Sequence, residues 1–329
     1  MTTRRGFLAL LAAATVGCGT TSGGAGETKS LRYQGWSGLV LQPELAADLG
    51  FLEDVSLEWV GNTTSGPQDV QAAATGEIDF GGAFNGTVVK LVGAGAPVRS
   101  VIGYYGIDND TYNGFYVPED SPIREPRDLV GRTVGMNSLG AHSAAMLGLY
   151  LQRNGFSPDE AASVEVVAVP PVSTEQSLRQ RQVDVAVLGG IMREKAVAAG
   201  GLRPLFTDFG LLGPFTAGTY VLTERFIEGN ADTVRTFVTG VARAIEWTRS
   251  RPREEVVARF TEIMAKRERN EDASSLKYWK STGVARPGGW IQEREMSLWL
   301  DWLADRGDVD RSRVTPSDCY TNEFNGVGS

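Results

Sequence analysis

QDVQAAATGEIDF at residues 68–80 and STEQSLRQRQVDV at residues 173–185 read as one unit written twice. Each is a helix, a tight turn and a strand opening on Ile/Val-Asp. A shift of 105 positions lays Gln71 on Gln176, Ile78 on Val183 and Asp79 on Asp184, and carries Gly50 onto Gly155. An offset of domain size predicts two similar α/β halves, because solenoid repeats are much shorter. Two coincidental helix–turn–strand units are the competing explanation. The repeat puts Asp79 and Asp184 in equivalent turns of different halves, a structural pairing rather than an acid/base couple.

Around the first copy, residues 31–36 read as a strand and Ser37-Gly38 as a turn. Leu41, Leu45 and Leu49 recur every four residues, with Pro43 in the first turn and Gly50 at the stop. That predicts an amphipathic helix. Strands follow at 56–60, 78–81 and 98–105, with helices at 66–74 and 85–92. Around the second copy, strands fall at 133–136, 164–169 and 183–188. Helices fall at 141–155, 174–180 and 191–199. This alternation calls for parallel sheets with helices on both faces. The C-terminal third is helical. Val234, Phe237, Val238, Val241, Ala242 and Ile245 mark one apolar face, and Trp299, Trp302 and Leu303 another. The tail after Thr315 is expected to be loose.

The 329 residues carry 32 Lys+Arg against 40 Asp+Glu, a net charge of −8, and no basic run. Nucleic acid is therefore not an expected partner. One histidine and two cysteines exclude His/Cys zinc clusters, and no metal or cofactor is expected. A serine or cysteine hydrolase would have His142 as its only histidine base. GxSxG, HExxH, GxxxxGK[ST] and GxGxxG are all missing.

Residues 1–18, MTTRRGFLALLAAATVGC, resemble a bacterial export signal. Arg4 and Arg5 precede an apolar run too short to span a bilayer core of ~30 Å. Thr3-Arg4-Arg5-Gly6-Phe7-Leu8 looks like the twin-arginine variant. Thr15-Val16-Gly17-Cys18 resembles a lipobox, with Thr15 where Leu is commonest, and makes Cys18 the expected lipidation site. Residues 19–30 form a Gly/Ser/Thr tether. An acylated Cys18 leaves Cys319 without a disulfide partner; a Cys18–Cys319 bridge is the alternative.

Ligands of open α/β sheets bind beyond the carboxyl ends of strands, at helix starts. Four segments place small or amide residues there: Trp36-Ser37-Gly38, Ser65-Gly66-Pro67-Gln68, Asn85-Gly86-Thr87 and Asn137-Ser138-Leu139-Gly140-Ala141-His142-Ser143. Each offers backbone N–H groups suited to an anion, or serves as an ordinary cap. His142 is either a cap neighbour or a ligand donor. Trp36, Tyr104 and Tyr105 wall a cleft or belong to the core.

The residues resemble a known family in their order along the chain: the lipoprotein signal, Pro43-Glu44-Leu45-Ala46-Ala47-Asp48-Leu49-Gly50, Gly66-Pro67-Gln68, Gly76-Glu77-Ile78-Asp79-Phe80-Gly81, Leu129-Val130-Gly131-Arg132-Thr133-Val134-Gly135 with His142, and Gln182-Val183-Asp184-Val185-Ala186. They are similar to substrate-binding proteins of ABC importers for sulfonates, taurine, nitrate and thiamine-precursor pyrimidines. The resemblance implies an α/β, two-lobed, periplasmic-binding-protein-like fold (type II), each lobe a central sheet flanked by helices. It implies lobe I at 31–106 and 220–329, lobe II at 107–219, and crossovers near 106–113 and 213–220. It further implies a monomer on the outer face of the cytoplasmic membrane that hands a small anionic or polar ligand to a permease and its ATPase. Gly66-Pro67-Gln68 and residues 138–143 would hold the head; Trp36 and Asn85-Gly86-Thr87 would line the remainder. Leu188-Gly189-Gly190-Ile191-Met192 stands where the sulfonate branch often carries Trp and an Asp-Pro-Tyr-like run. A secreted hydrolase using His142 and a ligand-sensing module are the alternatives.

Overall fold

The computed structural model describes residues 26–327. The export signal, Cys18 and the start of the tether lie outside the described residues. The first sheet grows from β1 (Ser30–Gly35), α1 (Gln42–Asp48), β2 (Ser56–Asn62), α2 (Gly66–Thr75), β3 (Gly81–Phe84), α3 (Asn85–Gly93) and β4 (Val98–Ile107). Residues 108–112 then lead into the second sheet. That sheet contains β5 (Asn113–Pro118), β6 (Thr133–Met136), α4 (His142–Arg153), α5 (Pro158–Ala162), β7 (Glu165–Ala168), α6 (Pro171–Arg179), β8 (Val185–Gly189), α7 (Gly190–Ala198), β9 (Leu202–Thr207) and α8 (Asp208–Leu212). The chain returns through residues 213–214 to β10 (Phe215–Thr223), followed by α9 (Glu224–Gly229), α10 (Ala231–Ser250), α11 (Arg253–Lys266) and α12 (Arg294–Asp305).

The second sheet runs β7-β6-β8-β5-β9, with β6 parallel to β7 and β8, and β5 antiparallel to both its neighbours. The first consists of a parallel pair, β1-β2, and a trio, β3-β10-β4, in which β10 is antiparallel to both neighbours. Asp79 joins the two pieces. Its N–H donates to the Arg32 carbonyl at 2.9 Å, and its carboxylate accepts the Arg32 N–H at 2.7 Å. Asp184 repeats this exchange with Thr133, at 2.9 and 3.0 Å. With that joint, β2-β1-β3-β10-β4 matches β7-β6-β8-β5-β9 strand for strand. In each sheet the antiparallel strand arrives from across a crossing segment.

Apolar residues fill two large cores. One lies under α1, α10 and α11 and contains Leu31, Leu45, Phe80, Phe237, Ile245 and Phe260. The other runs between the sheets, joining Phe84 and Ile107 to Phe115, Met136 and Met146 through Trp299 of α12. The C-terminal helices thus pack as their apolar faces predict. The tail is not loose. Cys319 and Phe324 are buried, and Ser100 of β4 exchanges backbone hydrogen bonds with Cys319 and Thr321 at 2.9 and 2.8 Å. An edge strand supplied partners for residues whose polar composition looked unstructured. At the other end, the Glu27 carboxylate accepts the Asp232 and Thr233 N–H groups, so the tether is fixed to the start of α10 from that residue on. Among the described residues no helix is long and apolar enough to cross a membrane.

Removing the Asp79 carboxylate leaves the Arg32 N–H without its acceptor, a loss of about 1–3 kcal/mol. The Asp79 side chain is 10% exposed and that of Asp184 is 39% exposed. Denaturant titration should therefore show Asp79→Ala destabilised by about that amount and Asp184→Ala by less; the reverse order would contradict this reading.

Candidate functional site

Strand ends β2, β3, β6, β7 and β8 lead into α2, α3, α4, α6 and α7. None of these five helices has a side-chain cap: the residues before them are Ser65, Phe84, Ala141, Pro170 and Gly189, and none accepts a hydrogen bond from the first turn. Short helices elsewhere are capped in the usual way, by Ser157, Thr207 and Thr223. The first N–H groups of a helix have no intrahelical acceptor, and the helix dipole adds positive potential there. Uncapped starts are thus an anion-accepting surface.

Three of them meet between the sheets. Ser65 Oγ, at the start of α2, lies 3.3 Å from Ser138 Oγ, in the turn before α4. The Phe84 ring, at the start of α3, meets the His142 ring edge-on at 5.2 Å. Tyr105 approaches His142 at 6.3 Å, and Tyr104 stacks on Tyr220 at 4.1 Å. Tyr104 and Tyr105 are half-buried and wall this junction.

His142 opens α4 and is buried. Its Nε2 lies 2.9 Å from Asp208 Oδ2, and Asp208 is fully buried. The Asn113 N–H and side-chain amide also donate to Asp208, at 2.9 and 2.7 Å. A carboxylate already accepting two donors assigns the proton to Nε2. His142 Nδ1 is buried without a partner. A second proton there would make a donor to an anion.

Other residues named from the sequence are placed differently. Gly38 does not offer a free N–H, because Glu271 Oε1 accepts it at 2.8 Å. A strap of residues 267–271 covers this turn. Its Arg267 and Arg269 reach Glu44 at 2.6 and 2.8 Å, and Arg267 also donates to the Leu39 carbonyl. Ser37 is exposed beside the strap, and Trp36 packs against the core. Asn85 is fully buried and donates its amide to the Thr216 and Glu295 carbonyls at 2.9 and 3.3 Å. Its side chain ties β10 to α12. Thr87 is buried with its hydroxyl unpartnered. Gly66 seats the start of α2 on β3, where a Cβ would come within 3.2 Å of Ala83 Cα. Gln68 and Asn137 are exposed, whereas Ser138 and Ser143 are buried.

The sequence reading missed Asp69, Asn113 and Asp208. Asp69 gave one signal: an acid among the positions of α2 that face inward, beside Val70, Ala72 and Ala73. It is 4% exposed; Oδ2 accepts the Gly82 N–H at 2.6 Å, and Oδ1 has no partner. Burial, partly offset by that hydrogen bond, pushes its pKa up to about 7. A cavity of about 510 Å³ opens elsewhere, lined by Asp110, Glu194, Arg253, Lys277, Tyr278 and Lys280. Its Lys280 is already paired with Glu194 at 2.7 Å.

A family model described as NMT1/THI5 like matches residues 45–255. The chain belongs to that family. No curated protein sequence matches it. The fold is that of periplasmic binding proteins. The alkanesulfonate-binding protein SsuA from Xanthomonas axonopodis pv. citri, bound to MOPS, superposes at TM-score 0.70 with 19% identity, covering 90% of this chain and 100% of that one. The periplasmic nitrate-binding protein NrtA from Synechocystis PCC 6803 gives 0.67 and 12%, covering 91% and 87%. The desulfurization enzyme DszB gives 0.59 and 16%, covering 90% and 97%.

A raised carboxyl pKa in the fold has a definite sign. Between the unfolded value, 3.8, and about 7, folded Asp69 holds a proton that the unfolded chain has released. Stability therefore falls as pH rises through that window, by a few kcal/mol at most at about 1.4 kcal/mol per unit. Denaturation at pH 5 and pH 8 should show a loss in the parent protein that Asp69→Asn largely abolishes. Parallel pH profiles would refute the assignment.

Proposed function

We propose that this NMT1/THI5-like protein is the extracytoplasmic solute-binding component of an ABC importer. It captures a small anionic or polar ligand, sulfonate-, nitrate- or taurine-like, and delivers it to a permease with an ATPase. The first sheet, including β10, forms one lobe with the C-terminal helices, the second sheet with its helices forms the other, and the ligand lies between them. The observation that carries this reading is the meeting of uncapped α2 and α4 through Ser65 and Ser138, beside a His142 nitrogen with no partner. Ser138, His142 and Ser143 hold the anionic head with the N–H groups of Gly66 and Gln68. The names of the solved binding proteins and the family membership agree with it. In this reading the protein is a monomer, and the export-signal-like segment and an acylated Cys18 would anchor it on the outer face of the cytoplasmic membrane.

Binding rather than catalysis fits His142. Its Nε2 is held by a buried carboxylate, and no described Ser, Thr or Cys hydrogen-bonds to its other nitrogen, so a nucleophile–base pair is not formed. The net charge of −8 is no obstacle, since backbone dipoles act locally.

Scanning fluorimetry against sulfonates, nitrate, taurine and pyrimidines tests the proposal. A true ligand at a hundredfold excess over its Kd should stabilise the fold by ~2.7 kcal/mol, several degrees in Tm. Ser138→Ala combined with His142→Ala should weaken that ligand at least tenfold. A panel without any stabilising ligand, or a double variant that binds as tightly as the parent, would refute it.

A further inference from the structure

The ladder that Asp79 starts between β1 and β3 does not continue. Two residues beyond Arg32 stands Gln34, and three beyond Asp79 stands Gly82. There the Gly82 N–H turns to the carboxylate of Asp69, on the first turns of α2, at 2.6 Å. The carboxylate thus takes a donor on the flank of β3 and keeps Oδ1 without one. No lysine or arginine pairs with Asp69 among the described residues. Tyr104 lies close over Gly82, where a Cβ would come within 2.8 Å of its ring, and stacks on Tyr220. The charge of Asp69 reaches both phenols, adding to the dominant effect of burial in holding them protonated. The Tyr220 hydroxyl and the Gln34 amide oxygen are also buried without partners. Buried polar groups in this number are costly unless a partner reaches them, and the Asp69 carboxylate most of all once it is ionised.

We propose that Asp69, with Tyr104 and Tyr220 around it, forms a subsite for the hydrogen-bond-donating amine of a short zwitterionic ligand whose anionic end lies on the helix starts. This rests on the solute-binding reading above and narrows its substrate class. Ser65 and Asp69 are one turn of α2 apart, about 6 Å along its axis. An amine two or three bonds from an anionic group spans that distance; a simple nitrate does not. Asp69 is then a specificity-determining residue, because an alkyl end leaves its carboxylate unpaired.

Calorimetric titration with 2-aminoethanesulfonate and ethanesulfonate tests the subsite, alongside the pair 3-aminopropanoate and propanoate. The parent protein should bind the amino member of at least one pair at least tenfold more tightly. In Asp69→Asn that preference should fall to within twofold, while affinity for the amine-free member holds. Equal binding of both members by the parent overturns the subsite and leaves the solute-binding reading intact, as does an equal loss for both in the variant. The comparison within the parent stands even if the variant fails to fold. Binding of none of the four overturns both.

Discussion

One aspartate in each sheet ties neighbouring strands, β1 to β3 and β6 to β8, by trading two hydrogen bonds with the main chain. Asp79 does this with Arg32, and Asp184 with Thr133. The joint fixes how far β3 and β8 run past β1 and β6, and therefore where the next helices begin. An aspartate suits the place because its short carboxylate reaches a neighbouring N–H without bending the strand. Two such joints, one per sheet, bring the ends of ten strands into matching order. After the chain's two crossings, the starts of α2 and α3 meet the start of α4.

What meets at the junction of Ser65 with Ser138 is unmet hydrogen-bonding demand. Three short helices carry Ser or Thr caps, and α10 borrows the Glu27 carboxylate. The starts of α2, α3, α4, α6 and α7 do without. Each omission forgoes about 1 kcal/mol of helix stability, and the N–H groups left over are worth most to an anion shielded from water. Nearby polar groups follow the same pattern of partial satisfaction: His142 is held at one nitrogen and open at the other, and Asp69 is held at one oxygen and open at the other.

Much of this was legible in the residues because the duplication preserves local geometry. Gly50 and Gly155 both adopt left-handed backbone at helix stops, as the shared shift requires. Gly76 is left-handed too, and its counterpart Arg181 takes the same strained conformation, so the turn outlived its glycine. Local pattern does not reveal β5 and β10, which take their places by antiparallel insertion from the far side of a crossing, or β9, which pairs only with β5. The same limit hid the fate of Gly38, whose partner Glu271 lies more than two hundred residues away. It hid the direction of Asn85, which is set by β10 and α12. Local pattern located the helix starts; only tertiary contacts decide which of them stay open.

Amide chemical shifts of the isotope-labelled protein, followed by NMR through titration with a sulfonate, bear most directly on that last point. The largest changes should fall on the first-turn amides of α2 and α4, at Gly66, Gln68, His142 and Ser143, with Gly38 little moved. Changes confined to the Arg253–Lys280 side, or spread with no concentration at those two helix starts, would contradict it.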